Sequence, residues 1–132
     1  MFLKLYFVAL TIFLGIDIIW LTVIAKDLYA KQIGFLLAKD PNLGAALIFY
    51  LIFIAGLVIF VIIPSLEKKQ LIQAVVMGAF FGLVTYSTYD LTNLATIKHW
   101  PISVTIIDLI WGMFISSSVA TITYLLVQRF NL

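Results

Sequence analysis

The chain has 132 residues and a formal net charge of +2, a length that suits a single domain. Hydrophobic residues form 64% of it and charged residues 11%, against about 45–50% and about 25% in soluble proteins, so a soluble fold of this size is excluded and lipid is the expected solvent. The absence of cysteine and a single histidine, His99, exclude a disulfide framework, thiolate chemistry and bis-histidine haem ligation within one chain, and eight scattered Lys and Arg residues offer no basic stripe to DNA or RNA.

A transmembrane helix needs about 20 mainly apolar residues. Four stretches meet that length: Phe2 to Ala25, Leu43 to Ile63, Leu71 to Ile97 and Val104 to Val127. The first is interrupted only by Lys4 and Asp17 and has no small-residue cleavage site after a short apolar core, so it is expected to be a retained span and not a signal peptide. Residues 26–41 mix Lys26, Lys31 and Lys39 with Leu28, Tyr29, Ile33, Phe35, Leu36 and Leu37, the composition of a short helix lying in the membrane interface. Pro64 is expected to end the second span, with a polar turn at Glu67, Lys68 and Lys69, and Trp100-Pro101 marks the connection to the fourth. The expected fold is an all-α integral membrane protein: four transmembrane helices in one bundle, with a short interfacial helix between helices one and two.

An even number of spans puts both termini and the Pro64 turn on one side, side A, and the other two connections on side B. Lys4, Lys68, Lys69 and Arg129 lie on side A and Lys26, Lys31, Lys39 and Lys98 on side B, a tie of four to four. Lys and Arg bias normally orients such a chain, so the charges leave dual insertion open, including in a homo-oligomer. Cytoplasmic termini are the working expectation.

Three of the six acidic residues, Asp17, Asp90 and Asp108, fall inside predicted spans, where each costs roughly 2.5–3.5 kcal/mol at mid-helix. Asp17 lies nine residues before Lys26, Asp90 eight before Lys98, and Asp108 four after Val104. At about 1.5 Å per residue all three sit roughly 6–14 Å inside the side B boundary, where three helices can point carboxyls into one pocket. Helical stacking at spacings of three and four adds neighbours. On helix three, Gly78, Gly82, Tyr86, Tyr89, Asp90 and Asn93 share a stripe that permits close helix approach at one end and is polar at the other. Helices one and four echo each other as Asp17-Ile-Ile-Trp20 and Asp108-Leu-Ile-Trp111, and helix two contributes Tyr50.

Two readings of this cluster compete. Isolated aspartates often serve as hydrogen-bonding glue between helices, worth roughly 0.6–2 kcal/mol per contact. Three in one half of the membrane, beside Tyr50, Tyr86, Tyr89 and Asn93, favour a functional pocket, because glue does not require repeated ionisable groups. Trp100 reads as an interfacial anchor, His99 as a solvated loop residue, and Ser116-Ser117-Ser118 as small-residue packing. Close carboxyls in a low-dielectric site titrate as a coupled set and supply an acid and a base together. Asp17, Asp90 and Asp108 are thus the candidate catalytic residues, for a double-bond shift or hydrolysis on a bound lipid or other apolar small molecule. Trp20, Tyr50, Tyr86, Tyr89, Asn93 and Trp111 would orient that ligand; no metal is expected, and the residues leave any cofactor open. The alternatives are a proton-coupled small-molecule transporter and a structural subunit of a membrane complex. Small multidrug exporters match the size but depend on a glutamate in the first helix, which this chain lacks.

The segment Tyr86-Ser-Thr-Tyr-Asp-Leu-Thr-Asn-Leu-Ala-Thr96, followed by Trp100-Pro101 and Asp108-Leu-Ile-Trp111-Gly112, resembles the signature of small bacterial membrane proteins grouped as domain-of-unknown-function family 2177. Asp17-Ile-Ile-Trp20-Leu21 and Pro41-Asn42 extend the likeness to nearly the whole chain. The resemblance implies a four-helix protein of the bacterial inner membrane, without an established reaction. It marks Asp17, Trp20, Tyr86, Tyr89, Asp90, Asn93, Asp108 and Trp111, positions that the depth argument selects independently.

Overall fold

Long runs of Leu, Ile, Val and Phe leave the backbone no partner in lipid except itself, and helices satisfy it locally. The computed structural model describes residues 1–132 and contains helices and no strand. Helix α1 (Phe2–Ile19) passes through a π-turn (Trp20–Ile24) into α2 (Ala25–Ile33) and a 3₁₀ turn (Gly34–Leu36). Helix α3 (Leu43–Leu57) passes through a second π-turn (Val58–Ile62) into α4 (Ile63–Lys68), and α5 (Leu71–Thr96) and α6 (Ile102–Phe130) follow. These make four helical runs long and apolar enough to cross a membrane: Phe2–Leu36, Leu43–Lys68, Leu71–Thr96 and Ile102–Phe130.

The short helix expected between spans one and two is present as α2, joined to α1 without a loop. The combined run of 35 residues would extend about 50 Å, well beyond the roughly 30 Å hydrocarbon thickness, so its end reaches past the apolar layer. It is held by the side B ends of the last two helices: Ile33 clusters with Trp100 and Val104, and Gln32 accepts a hydrogen bond from Ser103.

The second run does not stop at Pro64. Proline lacks an N–H and its ring collides with the carbonyl four residues back in a regular helix. Here Ile63 N–H reaches back five residues to the Val58 carbonyl, and this wider turn immediately before Pro64 accommodates the ring. The helix continues to Lys68 and ends with Lys69 in the left-handed conformation, φ 53°. At the other end Asn42 caps α3, its side-chain oxygen accepting from Ala45 N–H at 3.1 Å. Helices α5 and α6 begin and end within three residues of their expected limits.

The side A half is the packed half. Phe13, Phe53, Ile54, Leu57, Val58, Ile62, Ile115 and Val119 are buried there in one cluster. Helices α5 and α6 approach almost backbone to backbone: a Cβ on Gly78 would stand 2.8 Å from Ser117 Cα, one on Gly82 would overlap the Gly112 carbonyl, and one on Gly112 would enter the Tyr86 ring. Ser117 adds a hydrogen bond across the pair to the Val75 carbonyl, 2.8 Å, and Ser116 is buried against Gly82, so the serine run does serve packing. Small residues thus bring the last two helices together at one end, as the Gly78-Gly82 spacing predicts.

Candidate functional site

The same close approach positions a cavity in the side B half. Tyr86, on the cavity wall, rests against Gly112, and behind it Phe53 lies edge-on to Tyr86 at 6.2 Å and 5.3 Å from Phe81. Helix α5 touches the second run chiefly through the Val58–Ile62 turn and α4, so α3 and α5 part towards side B. A cavity of about 520 Å³ lies in that gap, within the roughly 300–1,000 Å³ range of small-molecule sites. Phe49, Thr88 and Tyr89 form an exposed rim. Tyr29 of α2 lines the cavity and α2 crosses its side B end, so the mouth is lateral, between α3 and α5.

Asp17, Asp90 and Asp108 all line this cavity, together with Trp20, Tyr50, Tyr86, Tyr89 and Trp111. Asn93 does not: it lies one turn past Asp90 towards side B, where the ladder Trp100 Nε1 to Thr105 Oγ1 (3.0 Å) and Thr105 Oγ1 to the Asp90 carbonyl (3.4 Å) fills the space. Trp100 is buried there, edge-on to Tyr89, and is not an exposed interfacial anchor. His99 stands exposed in the connecting turn with φ 65°, away from the cavity.

The three carboxyls have different surroundings. Asp17 accepts a hydrogen bond from the Tyr50 hydroxyl at 2.9 Å, and Asp108 accepts one from the Tyr29 hydroxyl. Asp90 is fully buried, its carboxyl neighbours that of Asp108, and neither of its oxygens has a hydrogen-bond donor. The rings of Trp20 and Trp111 stack with centroids 4.2 Å apart and planes 9° from parallel. Each Trp follows its Asp by three residues on helices running in opposite directions, so Asp17 and Asp108 flank the indole layer, about 9 Å apart along the helix axes. No lysine, arginine or histidine lines the cavity, and no three acidic or histidine side chains are grouped as a metal site would require.

Tyr29 is the residue that sequence periodicity misses. It follows Asp17 by twelve positions, which in a regular α-helix puts it about 120° away around the axis. The π-turn at Trp20–Ile24 takes up one extra residue, reducing the offset to about 20° and returning Tyr29 to the Asp17 face. Ala46, one turn before Tyr50, and Thr85, one turn before Tyr89, also line the cavity and are accessible to the spacing rule.

A model of predicted membrane proteins, the DUF2177 family, matches residues 2–125. The chain belongs to the DUF2177 family. No curated protein and no solved structure matches it. The DUF2177 match covers the first three helical runs and most of the fourth, and contains every residue lining the cavity.

Proposed function

We propose that this DUF2177 protein is a multi-pass protein of the bacterial inner membrane that binds a lipid or other apolar small molecule in the side B cavity. The ligand enters sideways between α3 and α5, lays its apolar body along Phe49, Tyr86 and Tyr89, and brings its polar end to the carboxyls. The observation that carries this reading is Asp90, fully buried on a cavity wall with both oxygens unpartnered. Buried acceptors without donors are costly, and they mark positions where a partner is supplied from elsewhere. The adjacent carboxyls of Asp90 and Asp108 set two acidic groups side by side for acid–base work on the bound molecule. Asp17, on the far side of the indole layer, gives a second site of proton exchange on the same ligand.

Native mass spectrometry of the full chain, extracted gently from its own membrane, tests the proposal. A discrete bound mass is expected on the wild-type protein and on Asp27→Asn, whose carboxylate lies outside the cavity, and is expected to be lost from folded Asp90→Asn. A bare wild-type protein, or a mass retained by Asp90→Asn, overturns it.

A further inference from the structure

We propose that the cavity selects an amphiphile whose polar end is a protonated amine bearing N–H donors. The inference rests on the ligand-binding reading above and names the substrate class. Three carboxyls line the cavity and no cationic side chain accompanies them. Intramembrane acidic groups normally pair with a basic partner or a donor, and the protein supplies donors unequally. The Tyr50 hydroxyl goes to Asp17 and the Tyr29 hydroxyl to Asp108. The threonine hydroxyls of the lining are already used by their own helix, Thr85 to the Phe81 carbonyl at 2.9 Å and Thr88 to the Val84 carbonyl at 2.6 Å. Asp90 receives nothing, although it is fully buried on the cavity wall.

A ligand ammonium satisfies these conditions together. Its N–H groups fill the empty acceptors of Asp90 in charge-assisted hydrogen bonds, and its charge offsets that of the Asp90–Asp108 pair. The surrounding indole and phenol rings favour a cation further. A quaternary ammonium brings charge without donors, an alcohol brings a donor without charge, and a carboxylate adds a like charge. The lateral mouth and its rim of Phe49, Thr88 and Tyr89 suit a molecule arriving from the bilayer with an apolar tail.

The test uses the full chain in lipid nanodiscs and four probes with one dodecyl tail: dodecylamine, dodecyltrimethylammonium, dodecanol and dodecanoate. Binding is followed by tryptophan fluorescence, to which the Trp20–Trp111 stack contributes directly, at a pH where the amine is protonated. The amine is expected to bind at least tenfold more tightly than each of the other three, an order measurable on the wild-type protein without any variant. In Asp90→Asn, with its helical circular dichroism intact, the amine is expected to lose at least tenfold in affinity, while Asp27→Asn is expected to match wild type. Dodecanol binding as tightly as the amine, with the same dependence on Asp90, overturns the amine preference and leaves the ligand cavity standing. No saturable binding of any probe overturns both.

Discussion

Trp20 and Trp111 lie face to face at 4.2 Å, one from each end of the chain, and this contact aligns the two Asp-x-x-Trp segments in opposite directions. On one side of the stack Tyr50 donates to Asp17, and on the other Tyr29 donates to Asp108. The arrangement is a near-symmetric pair of carboxyl–phenol couples about an indole centre. Asp90 has no counterpart in it, and that asymmetry organises the predictions that follow.

Replacing Asp90 and replacing Asp17 should have opposite consequences for stability. Asp90→Leu removes a buried carboxyl without a hydrogen-bond donor and is expected to leave the unfolding free energy unchanged or to raise it, since an apolar group of similar shape relieves the desolvation penalty. Asp17→Leu strands the Tyr50 hydroxyl and is expected to destabilise by about 1–3 kcal/mol. Reversible denaturation in mixed micelles measures both. Equal destabilisation by the two would mean that Asp90 is structural glue.

The phenol couples should act as separate helix ties. Tyr29→Phe and Tyr50→Phe each delete one hydroxyl donor and are expected to cost about 0.6–2 kcal/mol in the same micelle assay. Because the couples lie about 9 Å apart along the helices, the double variant should cost close to the sum. Hydrogen exchange should show Tyr29→Phe loosening α2 in particular, as Tyr29 ties α2 to α6.

Glycine substitutions offer a sharper contrast. Gly82→Ala drives a methyl into the Gly112 carbonyl and is expected to destabilise by about 1–3 kcal/mol or more, because two packed backbones have little room to separate. Gly15→Ala meets nothing within 4 Å and is expected to gain about 0.5–1 kcal/mol from helix propensity. A neutral Gly82→Ala would contradict the α5–α6 packing.

Topology can be read on single cysteines, since the chain has none of its own. With four spans, a membrane-impermeant maleimide should label Lys39→Cys and His99→Cys from one side and Glu67→Cys from the other. A population inserted both ways would label every site from both sides in equal share. Labelling of Lys39→Cys and His99→Cys from opposite sides would break the four-span arrangement.

Much of this was legible from residue order. Uninterrupted apolar length locates the four runs, and counting from the flanking lysines brings Asp17, Asp90 and Asp108 to the same half, because that argument needs only the rise per residue. Azimuth is harder. The stripe through Tyr86, Tyr89 and Asp90 holds because α5 is regular from Leu71 to Thr96, whereas Tyr29 and Pro64 each follow a π-turn, and hydropathy carries no mark of a change in turn width. Asn93 lies on the right stripe but past the end of the cavity, and the Trp100–Thr105 plug that ends it is a tertiary contact absent from any helical wheel. In the sequence Tyr29 stands out only by its apolar ring among interfacial residues, although its hydroxyl is what enters the site.

The Trp20–Ile24 turn specifies the site by arithmetic of chain length rather than by side-chain identity. Its five residues can vary in kind with little effect on the aim of Tyr29, and removing one of them, Val23 for example, would leave eleven positions of regular winding from Asp17, which again puts Tyr29 about 20° from the Asp17 face. A single-codon insertion there is the rotary adjustment: it would swing everything beyond it by about 100°, turn Tyr29 off Asp108 and carry α2 away from the ends of α5 and α6, unsealing the cavity towards side B without altering any residue that lines it.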